Sequence, residues 1–203
     1  MMRKLILEVQ MTVDGYVADT SGRNDWQLWN WGADWNWDDE LKKYFTGMME
    51  SVDCILLSRK MAKEGFISHW EQAAQHAGDP RFDYAKKINA THKVVFSKTL
   101  EKSDPIFTGR NNLDLAKGDL AEEINSLKSK KGKDIIVYGG AGFVSALIKE
   151  GLIDEFQLFI NPVTIGNGMT IFNQPDSKQH MTLVKAKSYD CGMVVLIYKP
   201  KNK

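Results

Sequence analysis

Only two cysteines occur among the 203 residues, Cys54 and Cys191. Each sits in an apolar, strand-like run and neither belongs to a C-x-x-C pair, so a disulfide framework is excluded and buried free thiols in a reducing compartment are expected. There is no excess of one charge either. Lysine and arginine number 27 against 26 aspartates and glutamates, a net +1, which removes the electrostatic footprint of a nucleic-acid or membrane-surface partner. Four histidines, His69, His76, His92 and His180, are scattered without zinc-ligand spacing, and no metal is expected. No apolar run approaches the ~20 residues that cross a bilayer. Met1-Met2-Arg3-Lys4 leads straight into a strand pattern rather than a signal-peptide apolar block. A cytoplasmic location is the expectation. Repeats, linkers and low-complexity tracts are also lacking, which leaves one domain over residues 1–203.

What is present suits a compact core, with 43% hydrophobic and 26% charged residues. Leu5, Leu7, Val9, Met11 and Val13 alternate with Glu8, Gln10 and Thr12, the period of a strand, and Asp14-Gly15 ends it. Asp38-Asp39-Glu40 opens a helix whose apolar stripe is Leu41, Tyr44, Phe45 and Met48. Val52 to Leu57 reads as a buried strand, Asp79-Pro80 as the cap of a helix through about Ile88, and Lys93 to Phe96 as another strand. Leu120, Ile124 and Leu127 mark a further helix, followed by a basic, solvated loop at Lys128 to Lys133. Strands at Phe156 to Ile160, Met181 to Val184 and Met193 to Tyr198 have no helices between them, and the last two can pair around Tyr189 to Gly192. Alternating strands and helices followed by antiparallel strands predict a mixed α/β sheet flanked by helices.

The run Asp134 to Phe143 carries the most information. A β-branched strand, Ile135-Ile136-Val137, enters Gly139-Gly140-Ala141-Gly142, and Phe143-Val144-Ser145-Ala146-Leu147-Ile148 opens a helix. Glycines at such a junction let a phosphate reach the backbone and the helix's free N–H groups. The spacing is not G-x-G-x-x-G, and a tight β–α turn alone would also use glycine.

Four signals then fall in order: Thr12-Val13-Asp14-Gly15-Tyr16-Val17-Ala18, Ile55-Leu56-Leu57-Ser58-Arg59-Lys60-Met61, Val94-Val95-Phe96-Ser97-Lys98-Thr99-Leu100 and Tyr138-Gly139-Gly140-Ala141-Gly142. Together they resemble the dihydrofolate-reductase-like fold. Leu152-Ile153-Asp154-Glu155-Phe156 and Pro162-Val163-Thr164-Ile165-Gly166-Asn167-Gly168 are similar to its riboflavin-biosynthesis reductase branch. The resemblance spans nearly the whole chain and implies NADPH. Gly139, Gly140, Ala141, Gly142 and Phe143 would hold the pyrophosphate. Ser58, Arg59, Lys60, Ser97, Lys98 and Thr99 would meet the adenosine ribose and its 2′-phosphate; singly, these cations read equally as solvated surface charges. The resemblance also implies a two-fold homodimer formed through the C-terminal strands.

Trp26, Trp29, Trp31, Trp35 and Trp37 crowd between the first strand and the first helix. Within the resembled fold this segment borders the substrate pocket, so Trp31, Trp35 and Trp37 are candidate walls for a planar heterocycle; the other reading is aromatic glue within the core or between subunits. Reducing a C=N bond needs a hydride donor and an acid. Candidate acids are Asp14, Asp39 and Tyr138, with Asp38 beside them, although the aspartates also read as turn and cap residues. Three positions depart from the riboflavin enzymes: Tyr138 stands where a glutamate is usual, Glu8 where a lysine is usual, and no Asp-Asn-Pro occurs around Glu64-Gly65-Phe66. The expected activity is NADPH-dependent reduction of a small planar heterocycle, like 5-amino-6-(5-phosphoribosylamino)uracil reductase. A dihydrofolate reductase and a non-catalytic NADPH- or ligand-binding module are the alternatives.

Overall fold

The computed structural model describes residues 2–173 and 178–201, so Met1 lies outside the described residues. Its frame is an eight-stranded sheet. The strands are β1 (Leu5–Thr12), β2 (Val52–Ser58), β3 (His92–Phe96), β4 (Leu113–Ala116), β5 (Asp134–Val137), β6 (Glu155–Asn161), β7 (Met181–Ser188) and β8 (Val194–Pro200). The helices are α1 (Asp39–Met48), α2 (Arg59–Lys63), α3 (Phe66–Ala73), α4 (Phe82–Ala90), α5 (Leu120–Ser129) and α6 (Ala141–Lys149). Strand order is β4-β3-β2-β5-β1-β6-β8-β7. The first six strands run parallel, and β6, β8 and β7 pair antiparallel. The expected mixed α/β sheet with an antiparallel C-terminal section is therefore what the chain forms.

Covering layers account for the burial. One core places Ile55, Leu57, Val95 and Phe159 against α1, α3, α4 and the tryptophan segment. The other places Leu5, Leu7, Val9 and Phe156 against α5 and α6. All eight residues of β1 are buried, because both faces are covered. Its polar side chains, Glu8, Gln10 and Thr12, therefore lie inside the protein rather than on a solvated face. Gln10 and Asn161 satisfy one another at 3.3 Å, and Gln10 donates to the Trp29 carbonyl at 3.0 Å. Among the described residues no helix is long and apolar enough to cross a membrane.

Several local expectations need correcting. The helix expected from Pro80 begins at Phe82 with Arg81 as its cap, because the Asp79 carboxylate instead accepts the Arg81 backbone N–H and guanidinium. Lys128 belongs to α5 and is buried, not solvated; its ammonium donates to the Leu152 carbonyl at 2.6 Å and pairs with Asp154. Cys54 is a buried free thiol, but Cys191 is only half-buried, since it sits in the turn between β7 and β8.

Candidate functional site

The middle of the sheet contains a notch. Strand β5 ends where Val137 pairs with Leu7 on one side and Leu56 on the other, yet β1 continues to Thr12 and β2 to Ser58. Past Val137 the gap is occupied by Tyr138 and the glycine turn. A cavity of about 760 Å³ opens there, at the carboxyl ends of parallel strands, where open α/β sheets bind their ligands.

One wall is the glycine turn. Gly140 has φ +85° and precedes α6 without a side-chain cap, so the N–H groups of that helix's first turn have no side chain competing for them. A Cβ on Gly140 would lie 2.8 Å from the Ser58 hydroxyl, while one on Gly142 would meet nothing within 4 Å. Ser58 itself caps α2 by accepting the Met61 N–H at 3.2 Å. Gly139, Gly140, Ala141, Gly142, Phe143, Ser58 and Lys60 all line the cavity. Arg59, Ser97, Lys98 and Thr99 are not among the residues that line it. The last three follow β3, the strand beside β2, and the Ser97 hydroxyl accepts the Thr99 and Leu100 N–H groups at 3.2 and 3.0 Å.

The opposite wall is aromatic. Trp31, Phe66, His69 and Tyr138 line it, and Trp31 meets Phe66 edge-on at 5.4 Å. Trp31 has φ +58°, a left-handed conformation that costs a bulky residue about 1–3 kcal/mol. Its carbonyl is held by the Arg81 guanidinium, and His69 Nε2 lies 3.0 Å away. Asp79 fixes Arg81 in turn. Burial first, and then the neighbouring Arg81, push the His69 pKa down, which keeps the imidazole neutral.

Trp35 and Trp37 are not cleft walls. Trp35 stacks on Trp29 at 4.1 Å and Trp37 on Phe159 at 5.7 Å; both are core residues, and packing against the sheet and α1 is what removes their indoles from water. The candidate acids are displaced as well. Asp14 is exposed and ties down a neighbouring loop by accepting the Ile165 and Gly166 N–H groups at 3.1 and 2.7 Å. Asp39 is exposed on the first turn of α1, and Asp38 caps that helix through the Leu41 N–H at 2.9 Å. Tyr138 presents its ring to the cleft, but its hydroxyl points into the core, 3.1 Å from the Tyr84 hydroxyl and 3.0 Å from Met49 Sδ. Burial pushes its phenol pKa far up.

Of the acids that line the cavity, Glu64 is exposed and pairs with Lys60, and the buried one is Glu8. It is 3% exposed, and burial alone pushes its carboxyl up to about 8. The sequence held a signal for it, since Glu8 stands where the riboflavin enzymes usually have a lysine, but the alternating pattern assigned that side to solvent. Among the described residues no three His, Cys, Asp or Glu side chains gather as a metal site.

A model of the RibD C-terminal domain matches residues 3–195. The uncharacterized protein YyaP of Bacillus subtilis is 30% identical over 198 residues, covering 97% of this chain and 94% of that relative. Among solved structures, a protein provisionally described as a riboflavin biosynthesis protein, from Shewanella sp. PV-4, superposes with a TM-score of 0.71 at 22% identity, covering 99% of this chain and all (100%) of the other. A diaminohydroxyphosphoribosylaminopyrimidine deaminase/5-amino-6-(5-phosphoribosylamino)uracil reductase of Thermotoga maritima superposes at 0.65 with 15% identity, covering 98% of this chain and 57% of the other. At those identities the likeness is one of fold.

Proposed function

The chain belongs to the RibD C-terminal domain family, and from that premise we propose that it is an NADPH-dependent reductase of a small planar heterocycle, pyrimidine- or pterin-like. The observation that carries this reading is one cavity with two different walls: an uncapped helix N-terminus behind a glycine cradle, and an aromatic face opposite it. The residues fit the cofactor. The tight approach at Gly140 and the open space at Gly142 leave the backbone accessible, and the N–H groups opening α6 are suited to a pyrophosphate. Among the described lining residues Lys60 is the lysine or arginine; Arg59, next to it in sequence, and Lys98, after the neighbouring strand β3, complete the proposed set for a 2′-phosphate. When bound, the cofactor supplies the hydride. Trp31, Phe66 and Tyr138 would stack the heterocycle and exclude water.

Charge narrows the substrate. Of the described lining residues Lys60 alone is a lysine or arginine, and the 2′-phosphate claims it. A substrate bearing its own ribosyl phosphate would find no second cation, so an unphosphorylated heterocycle fits this cleft better than the phosphoribosylamino-pyrimidine.

Titration with NADPH and NADH, followed by turnover of dihydropterin, dihydrofolate and aminopyrimidines with and without the phosphate, tests the proposal. NADPH should bind tenfold or more tightly, since one charge-assisted contact is worth about 1.5–3 kcal/mol. Equal affinities would remove Arg59, Lys60 and Lys98 from the 2′-phosphate. Turnover confined to dihydrofolate would make the protein a dihydrofolate reductase. Tight NADPH binding without oxidation by any heterocycle would make it a ligand-binding module.

A further inference from the structure

The reductase reading leaves one buried group without a task. Glu8 lies in β1, opposite Gln157 of β6, with its side chain lining the cavity. Among the described residues its carboxyl makes no hydrogen bond or ion pair. The groups around it are accounted for elsewhere. The Tyr44 hydroxyl of α1 donates to Gln157 at 2.7 Å, and Gln157 in turn donates to Glu155 at 2.8 Å. Tyr138 and Tyr84 bond each other. His69 of α3 is engaged at the Trp31 carbonyl, and Lys60 of α2 and Glu64, which follows that helix, also line the cleft and pair together at 3.8 Å. A carboxylate buried without a partner is costly, and a strand buried along its whole length gives no structural reason to keep one.

We infer that Glu8 is the proton donor of the reaction, delivering its carboxylic O–H to the nitrogen of the substrate's C=N bond. This rests on the reductase reading. As the substrate carbon accepts a hydride from the reduced nicotinamide, the C=N electron pair moves to nitrogen and takes the proton; the Glu8 O–H bond breaks and an N–H bond forms. Glu8 is left as a carboxylate and regains a proton from water entering the cleft after product leaves. The strand holds the donor rigidly, with hydrogen-bonded neighbours at β6 and a covered opposite face, so the acid needs no rearrangement to act. The elevated pKa, about 8, keeps it protonated at neutral pH, as a general acid requires.

Glu8→Gln and Glu8→Asp, compared with the wild type, test this by two independent readouts. Infrared difference spectroscopy at neutral pH should show a protonated carboxyl band that Glu8→Gln removes. Glu8→Gln should bind NADPH within twofold of wild type, lower kcat by about 10²–10⁴-fold, and abolish the fall in kcat above the Glu8 pKa; Glu8→Asp should recover part of the rate with a shifted profile. An ionised Glu8 at neutral pH, or a Glu8→Gln variant with wild-type kcat and pH profile, overturns the role of Glu8 alone. Equal losses of NADPH affinity and rate in Glu8→Gln also overturn it, since they mark a structural residue. A wild type that oxidises NADPH with no heterocycle overturns the reductase reading and the proton-donor role together.

Discussion

Glu8 has a consequence for stability that is separate from chemistry. The unfolded chain releases this proton near 4.5 and the folded protein near 8, so between those values the folded state holds more protons. Stability from this group therefore falls as pH rises through the window and levels off above it. Glu8→Gln removes that loss. The variant should match the wild type at about pH 4 and exceed it at about pH 9 by on the order of 4 kcal/mol, an upper figure from the shift. Urea denaturation at both values checks it, and parallel pH dependences would show that Glu8 is ionised when folded. Trp31 gives the second residue-scale prediction. Its left-handed backbone is held by Arg81, so Arg81→Met should free the indole and leave Asp79 unpaired. The expected result is a lower Tm and a several-fold higher KM for the heterocycle, with NADPH affinity unchanged. An unaltered KM would mean that the clamp serves stability alone.

At the scale of elements, the long strands and amphipathic helices were legible because periodicity, caps and β-branched runs agreed. The glycine turn was legible too, since strand, glycines and helix follow one another directly. Shorter pieces were not. β4 has four residues, with Asp114 exposed, too few to establish a period. α3 opens on Gly65 at φ +110° without a side-chain cap, so no start signal announced it, although Phe66, Ile67, Trp70 and Ala73 are buried along one face. The tryptophans were visible as a cluster, but assigning Trp31 to the cleft and Trp35 and Trp37 to the core needed the fold. A lysine on β3 finishes α4. The buried Lys93 ammonium donates to the carbonyls of Ile88, Asn89 and Thr91 at 2.6, 3.2 and 2.8 Å. Lys93→Met would strand carbonyls at that helix end, and a loss of about 1–3 kcal/mol follows. Chemical denaturation measures it; a neutral substitution would show that water replaces the ammonium.

For the whole molecule, the sheet has an edge strand. Among the described residues β7 pairs only with β8, most of its residues are exposed, and Leu183 and Val184 are about half exposed, at 52% and 50%. A second copy of the chain is the expected cover, as a two-fold dimer whose interface repeats these two side chains. The register shift between Leu183 and Lys185, with lysines along the strand, disfavours simple edge-to-edge extension, so the contact is expected through the face. Light scattering should give twice the 23.0 kDa of one chain, and Val184→Glu should return it to a monomer. A wild-type mass of 23.0 kDa would refute the dimer.

The aromatic core also has an optical consequence. Trp29 lies 4.1 Å from Trp35 and 4.9 Å from Trp37, Trp35 and Trp70 both contact Tyr84, and Trp70 is 5.7 Å from Trp31. At such separations excitation passes between indoles, and Trp31 is the tryptophan of this group that lines the cleft. A planar ligand stacked on Trp31 should extinguish emission from tryptophans it never touches.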